Sequence, residues 1–309
     1  QWAILAQECQ VILSNPIHRA AMVNYFKDDV MTGRVAVVTG GGSGIGFELA
    51  RQLGLHKAKG VVIMGRRQQF LDQAVKALQA EGIQAAAYAG DVRKGQDCDA
   101  VCELARSKFG SLDILINCAA GNFLAAAEML TPNGFRTVQE IDLLGTFNMC
   151  RSAFPGLKES KFGGNVINIT ATLHYGATWW QAAACSAKAG IDALGRTLGL
   201  EWGHYNIRVN GVAPGPIADT PGLKKLSAGS DKAMDWSKSV ALERPGTKEE
   251  IASTVIFLCL NQYITSEVIV VDGGNWMMKP QGVPREAVLA ASKAIEKTSR
   301  DMGPGSSKL

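Results

Sequence analysis

A glycine-rich stretch near the start of the chain has the residue types and spacing of a phosphate-binding loop. Residues 38–46 read VTGGGSGIG. Small residues let backbone N–H groups and the N-terminus of a following helix approach a pyrophosphate closely. A glycine loop alone also suits a tight turn, but this one follows an apolar run and precedes a helical pattern. The stretch therefore predicts a dinucleotide site contacted by Gly40, Gly44, Ile45 and Gly46.

Two arginines follow the next apolar run, in the sequence IMGRRQ. A site for NAD usually carries an acidic residue here, which binds the ribose 2′-hydroxyl. This chain has Gly65, Arg66 and Arg67 instead, and two guanidinium groups suit a 2′-phosphate. The alternative is a solvated arginine pair at a helix start, where cations are slightly unfavourable. We therefore expect NADPH, bound by Arg66 and Arg67, rather than NADH.

The elements that must position these residues alternate along the chain. Strand-like runs are RVAVVTG, GVVIMG, QAAAYAGD, LDILINCAA, GNVINITAT and SEVIVVDGG. Helical patterns such as GFELARQLGLHKA and QQFLDQAVKALQAEG separate the first of them. Such alternation predicts βαβ units and a parallel sheet. We expect an α/β fold with a single doubly wound Rossmann-type domain over residues 31–279, an N-terminal extension over 1–30 and a C-terminal tail over 280–309.

Polar residues follow the third and fourth runs, where the cofactor should cross the sheet. Asp91, with Val92, is predicted to hold the adenine edge, and a helix N-cap is the other reading of this aspartate. The sequence NCAAG, residues 117–121, ends the fourth run and places Ala119 beside the cofactor.

With these residues in place, the chain resembles the short-chain dehydrogenases/reductases over residues 34–275. The motifs that carry the resemblance are Thr39–Gly46, Asp91, Asn117–Gly121, NITAT, Lys188, VNGVAPGPI and VDGG. The resemblance implies that Lys188 binds the nicotinamide ribose. It also implies that the Pro214–Thr220 loop covers the nicotinamide amide, with contacts from Pro214, Gly215 and Ile217.

Three catalytic features depart from the usual pattern of this superfamily. The tyrosine expected four residues before Lys188 is Ala184, the strand serine falls among Thr170 and Thr172, and the asparagine of the NxxG motif is Asp142. Carbonyl reduction forms an alkoxide beside the hydride donor and needs an acidic hydroxyl there, which the tyrosine supplies. Its absence argues against simple ketone–alcohol chemistry.

The combination resembles the peroxisomal branch of 2,4-dienoyl-CoA reductases, above all in the strings CAAGNF and NITATL. The resemblance implies that NADPH reduces Cδ of a 2,4-dienoyl-CoA and that a water held by Asp142 and Lys188 protonates Cα, giving a 3-enoyl-CoA. Asn122, with or without backbone N–H groups of residues 119–122, would bind the thioester oxygen. Leu173 stands where mitochondrial relatives carry a tyrosine, and Tyr175 remains an alternative proton donor.

Two other functions fit parts of the pattern. A trans-2-enoyl-CoA or 3-oxoacyl reductase of the same superfamily would normally keep the missing tyrosine. A non-catalytic NADPH-binding protein would explain its loss, but would need neither Lys188 nor Asp142.

Coenzyme A is a polyanion, so its site needs cations. By family analogy we expect Arg93 and Lys225 to supply them and Phe123 to pack on the acyl or pantetheine portion; surface charge and core packing are the alternatives. Trp179 and Trp180 precede Lys188 and suit either an acyl channel or an oligomer contact.

Composition limits the remaining possibilities. The net charge is +4, which is too small to indicate nucleic acid binding by itself. The 7 cysteines are scattered without a Cys-x-x-Cys pair, which predicts mostly buried thiols in a reducing compartment. The 4 histidines lack metal-ligand spacing, and no apolar run has the length of a membrane span.

The final residues, SKL, match a peroxisomal import address. We therefore expect the protein in the peroxisomal matrix, with an import receptor as partner. From the resemblance, we also expect a homo-tetramer.

Overall fold

The protein is described here by a computed structural model covering residues 26–226, 239–279, 284, 286–289 and 291–292. A seven-stranded parallel sheet forms its centre, with the strand order β3-β2-β1-β4-β5-β6-β7. The strands are Val35–Thr39 (β1), Gly60–Gly65 (β2), Ala85–Ala89 (β3), Ile114–Asn117 (β4), Gly164–Ile169 (β5), Ile207–Pro214 (β6) and Val268–Val271 (β7). The predicted doubly wound α/β fold is confirmed.

Helices cover both faces of the sheet. They are Gly44–Leu55 (α1), Gln68–Ala80 (α2), Gly95–Phe109 (α3), Pro132–Gln139 (α4), Gly145–Lys158 (α5), Ala182–Trp202 (α6), Pro221–Leu226 (α7) and Lys248–Leu260 (α8). A single π-helical turn, Glu140–Leu144, joins α4 to α5. Within the described residues, no helix is long and apolar enough to span a bilayer.

The strands are buried on both faces because successive residues enter different cores. Ala36 and Val38 of β1 pack with α1 and α8, whereas Val35 and Val37 pack with α3 and α5. This explains why the strand sequences are continuous apolar runs. Four of the described cysteines lie in these cores, and burial raises the pKa of each thiol to about 12: Cys98, Cys102, Cys150 and Cys259.

The strand order reverses at β1, whose neighbours are β2 and β4. The connections from β1 and β4 therefore leave in opposite directions and open a crevice at the carboxyl ends of these strands, where ligands bind in sheets of this kind. β4 is shorter than the predicted run, which extends to Ala120, so residues 118–120 form the wall of this crevice. The domain boundaries at residues 30 and 280 remain predictions.

Candidate active site

The glycine loop lies at the carboxyl end of β1 and leads into α1. Gly40 has a φ of +68°, and a Cβ atom on it would lie 2.9 Å from the Cys118 carbonyl oxygen. A Cβ atom on Gly46 would lie 2.5 Å from the Gly40 carbonyl oxygen. Only glycine fits these two positions. The loop thus exposes its backbone and the start of α1 beside the crevice, which fits the pyrophosphate of a dinucleotide.

Thr39, at the end of β1, links this strand to the chain that follows β4, where the strand order reverses. Its hydroxyl oxygen accepts hydrogen bonds from the backbone N–H groups of Cys118 and Ala119, each at 3.0 Å. The bonds fix the chain after β4 against the glycine loop. Ala119 therefore lies next to Gly40, and the N–H group of Ala119 is already engaged.

Arg66 and Arg67 follow β2 and are exposed. The Arg67 guanidinium stacks 4.0 Å from the centre of the Phe70 ring. Gly65 occupies the position of the usual carboxylate at the end of β2. The end of the strand is therefore followed by two exposed positive charges.

Asp91 and Arg93 form a forked ion pair after β3. The Arg93 Nη2 donates to Asp91 Oδ2 at 2.5 Å, and Nε donates to both carboxylate oxygens at 3.0 Å. These bonds, with a smaller effect of the Arg66 charge, lower the pKa of Asp91. Arg93, predicted from the resemblance to bind coenzyme A, is thus also the partner of the residue predicted to hold the adenine edge, while Val92 is buried beside it.

Asp142 and Lys188 meet beside the crevice. The Asp142 carboxylate lies in the π-helical turn, 1% exposed, and its Oδ2 is 3.2 Å from Lys188 Nζ. Its Oδ1 accepts a hydrogen bond of 2.6 Å from the backbone N–H of Gly121. Bulges of the π type frequently mark functional sites because they redirect a side chain within a helix. Here the turn brings Asp142 against both the loop after β4 and the lysine of α6.

Lys188 is fixed by α6 and by the end of β5. Its ammonium donates to the Ile169 carbonyl oxygen at 3.2 Å, in addition to its contact with Asp142. An ammonium has three donors. Within the described residues these two contacts leave one N–H for a cofactor hydroxyl or a water.

The place of the missing tyrosine is filled by apolar packing. Ala184 is 2% exposed and belongs to a small cluster with Val138, Ala183 and Ala187, against which Leu173 packs. Leu173 is the residue that the resemblance predicts at the tyrosine position of mitochondrial relatives. Neither position supplies a hydroxyl to the crevice.

Two threonines and a tyrosine are the other residues whose hydroxyl groups could replace that of the missing tyrosine. Thr170 and Thr172 are buried after β5. Tyr175 contacts the rings of His174 and Trp276, with centroids 4.6 and 5.3 Å away. Burial, with nearby acidic groups, raises the pKa of Tyr175 to about 12, so its hydroxyl is a weak acid.

Asn122 follows the Asp142-bound glycine. Its Nδ2 donates to Gln181 Oε1 at 2.6 Å, and three residues later Ala125 N–H donates to the Trp180 carbonyl oxygen at 2.9 Å. The sequence reasoning did not include Gln181, whose contact with Asn122 spans two loops and leaves no spacing signal. Of the backbone N–H groups predicted to assist Asn122, those of Ala119 and Gly121 are already bound, to Thr39 and Asp142.

The remaining predicted residues lie at the end of β6 and in the segments that follow β4, β5 and β6. Pro214 ends β6, Gly215 N–H donates to the Val271 carbonyl oxygen at 3.0 Å, and Ile217 is 5% exposed. Phe123 is 44% exposed, and Trp180 and Trp179 are 57% and 80% exposed. Lys225 lies in α7, but its side chain is outside what the structure describes.

His174 and Asp192 form another largely buried polar pair, which the sequence did not predict. His174 Nε2 lies 2.7 Å from Asp192 Oδ2, and desolvation raises the pKa of Asp192 even though His174 opposes the shift. Across the described parts of the chain, no group of three or more His, Cys, Asp or Glu side chains could hold a metal ion.

Known proteins are similar to this chain in sequence and in fold. A family model described as enoyl-(acyl carrier protein) reductase matches residues 40–275. A peroxisomal 2,4-dienoyl-CoA reductase of Arabidopsis thaliana, named as (3E)-enoyl-CoA-producing, is 51% identical over 298 residues, which cover 92% of this chain and 99% of the relative. The Rattus norvegicus protein of the same name is 42% identical over 273 residues, or 87% and 92% of the two chains. The crystal structure of a short chain dehydrogenase from Bacillus anthracis aligns with a TM-score of 0.73 at 37% identity, covering 82% of this chain and 100% of that one.

Proposed function

Because the chain belongs to the short-chain dehydrogenase/reductase family, we propose that it reduces 2,4-dienoyl-CoA thioesters to 3-enoyl-CoA with NADPH. The observation that carries the proposal is the buried contact between Asp142 and Lys188 beside a crevice whose tyrosine position is Ala184. The similar proteins named above support the substrate class.

The chemistry explains why an acid–lysine pair can replace a tyrosine. Reduction of a ketone needs a proton on oxygen at the carbon that accepts hydride. In a dienoyl thioester, hydride adds to Cδ, the electrons move through the conjugated system to the thioester oxygen, and the proton finally goes to Cα. The proton donor therefore lies several atoms away from the hydride acceptor, and the oxygen needs hydrogen-bond donors.

NADPH fits the residues of the crevice. Gly40, Gly44, Ile45 and Gly46 would hold the pyrophosphate, and Arg66 and Arg67 the 2′-phosphate. Asp91, Val92, Ala119, Lys188 and the residues Pro214, Gly215 and Ile217 would line the rest of its site. When bound, NADPH supplies the hydride that Cδ receives.

Asn122 stabilises the negative charge that develops on the thioester oxygen. One N–H of its amide is held by Gln181, and the other is free in this proposal to donate to the substrate. Since Ala119 and Gly121 use their backbone N–H groups elsewhere, the side chain carries most of this task.

Lys188 and Asp142 hold the proton-donating water. The third N–H of Lys188 binds the water, and the Asp142 carboxylate keeps the ammonium charged and oriented. Proton transfer from this water to Cα leaves the double bond between Cβ and Cγ, which is a 3-enoyl-CoA. Lys188 gives a proton to the hydroxide left behind and regains one from solvent, so the net reaction consumes one hydride from NADPH and one proton.

We also propose the partners and the compartment. Phe123 would pack on the acyl or pantetheine portion, and Arg93 and Lys225 would bind coenzyme A phosphates. The peroxisome is proposed as the compartment because the relatives carry that word in their names. Location in the matrix, the import receptor and the homo-tetramer remain predictions; the SKL sequence lies outside the described residues.

The test is NADPH oxidation with 2,4-hexadienoyl-CoA, compared with crotonyl-CoA and acetoacetyl-CoA. We expect turnover of the dienoyl thioester and at least 100-fold lower kcat/KM for the others. Preference for crotonyl-CoA or acetoacetyl-CoA would favour the rival reductases. NADPH binding without NADPH oxidation in the presence of any of the three thioesters would favour a non-catalytic protein.

A further inference from the structure

We propose that Gln181 is a positioning residue that holds Asn122 for the reaction. The inference rests on the proposed function, because it concerns the donor to the thioester oxygen. The contact that points to it is the hydrogen bond of 2.6 Å from Asn122 Nδ2 to Gln181 Oε1.

The environment of Gln181 suits a fixed support. Its side chain is buried, 8% exposed, whereas Asn122 is half-buried in the crevice loop. A buried glutamine amide has lost its water and is ordered by its protein partners. The more exposed asparagine, without such a partner, would exchange its hydrogen bonds with solvent and adopt several orientations.

A second hydrogen bond holds residues 122–125 against the chain that precedes α6. Ala125 N–H donates to the Trp180 carbonyl oxygen at 2.9 Å, next to the bond between Asn122 and Gln181. Trp180 has a φ of +59°, a region that bulky side chains rarely adopt and that persists where surrounding contacts impose it. The chain before α6 is therefore bent to present both partners to residues 122–125.

Gln181 also couples Asn122 to the proton-donating pair. It immediately precedes α6, which carries Lys188 two turns later, on the same side as Ala184. On the other side of Asn122, Gly121 N–H is bound by Asp142. Asn122 is thus held between two contacts that both lead to the Asp142–Lys188 pair.

The consequence is a preorganised donor. An oxyanion donor is effective when it is oriented before charge develops, because no reorganisation is then needed during the reaction. With one amide N–H on Gln181, the plane of the Asn122 amide is set and the second N–H has a fixed direction. Loss of Gln181 should lower the rate of the chemical step more than it weakens substrate binding.

The test is a double-mutant cycle between Gln181→Met and Asn122→Ala, assayed with 2,4-hexadienoyl-CoA and NADPH. Methionine keeps the length of the side chain and removes the acceptor. We expect Gln181→Met to lower kcat about tenfold, less than the 10²–10³ lost with a direct oxyanion donor, with KM changed less than threefold. In the Asn122→Ala background, the same substitution should change kcat less than twofold, because a residue that acts only through Asn122 has nothing left to position.

A spectroscopic measurement separates positioning from a general structural role. In the presence of NADP⁺, which cannot give hydride, polarisation of the thioester should shift the absorption of bound 2,4-hexadienoyl-CoA to longer wavelength. We expect this shift to be reduced in Gln181→Met and reduced further in Asn122→Ala, which lacks the donor itself, with NADPH affinity unchanged in both. If Gln181→Met does not fold, Gln181→Asn keeps a polar amide but stops one methylene short of Asn122, and the same criteria apply to it.

The role of Gln181 would be overturned if Gln181→Met lowered kcat equally in the wild type and in Asn122→Ala. It would also be overturned if Gln181→Met alone changed neither kcat nor the absorption shift. The wild-type protein is the reference for the proposed function itself. Failure of the wild type to oxidise NADPH with the dienoyl thioester would contradict that function, whereas an active wild type with an uncoupled Gln181 would contradict only this inference.

Discussion

The Asp142 carboxylate lies 3.2 Å from the Lys188 ammonium, with both side chains buried and the carboxylate also bound to Gly121 N–H. Burying two charges is costly, and such pairs are often no more stabilising than apolar residues of the same size. The pair is therefore better explained by chemistry than by stability. In the proposed mechanism it takes the role of the tyrosine that is absent here, at a site where Ala184 is packed among apolar side chains.

Asp142→Asn should lower kcat by roughly 10²- to 10⁴-fold, the range of a general acid–base contribution. The amide keeps the size of the side chain and an oxygen for Gly121 N–H, but no longer holds the lysine by charge. The measurement is steady-state NADPH oxidation together with an NADPH binding titration, which should be little changed. Glu140→Gln, an equal charge change in the same π-helical turn, is the control and should keep full activity. Equal rates for Asp142→Asn and the wild type would remove Asp142 from the mechanism.

Tyr175→Phe should keep kcat/KM for 2,4-hexadienoyl-CoA within about twofold of the wild type. The raised pKa of Tyr175, mainly from burial, makes it a weak proton donor, and phenylalanine retains the ring contacts with His174 and Trp276. Steady-state NADPH oxidation with this substrate measures whether Tyr175 takes part in proton transfer. A loss of 100-fold or more would make Tyr175 the proton donor and leave the Asp142–Lys188 pair a supporting role.

Gly46→Ala should abolish measurable NADPH binding, since the new Cβ would lie 2.5 Å from the Gly40 carbonyl oxygen and would force the phosphate loop to move. Gly42→Ala is the matched control in the same loop, because its Cβ would meet Leu71 Cδ2 at 3.5 Å, an ordinary contact. Fluorescence titration with NADPH measures both. Comparable NADPH affinity in the two variants would show that the loop does not contact the cofactor.

The double variant Arg66→Ser, Arg67→Ser should raise KM for NADPH roughly 10- to 100-fold, since hydrogen bonds to charged groups contribute about 1.5–3 kcal/mol. KM for NADH should stay nearly constant, because NADH has no 2′-phosphate. Lys76→Ser removes an exposed positive charge further along α2 and should leave both values unchanged. A parallel rise of KM for the two cofactors would contradict 2′-phosphate recognition.

Much of the fold follows from local patterns in the sequence. The apolar runs of β1 and β2 and the glycine loop between β1 and α1 are each specified within a few residues, so their positions could be predicted. The ends of β4 were less predictable, because the residues after Asn117 are apolar yet leave the sheet to form the crevice wall. Ile207–Pro214 was known only as a motif and is in fact the longest strand of the described sheet.

The partners of the site residues could not be predicted in the same way. The resemblance selected Asp142 and Lys188, but their contact depends on a π-helical turn that has no sequence signature. The pairing of Arg93 with Asp91 and of Gln181 with Asn122 likewise depends on how loops meet in three dimensions. Residue type and spacing identify the chemical groups, whereas orientation and hydrogen-bond partners emerge only from the packed structure.

The most direct test of the account is the position of the double bond in the product formed from 2,4-hexadienoyl-CoA and NADPH, read by NMR with the rate of NADPH oxidation. The account predicts one equivalent of 3-hexenoyl-CoA per NADPH, because Cδ accepts hydride and the water held by Lys188 and Asp142 protonates Cα. Formation of 2-hexenoyl-CoA, or no oxidation of NADPH, would contradict it.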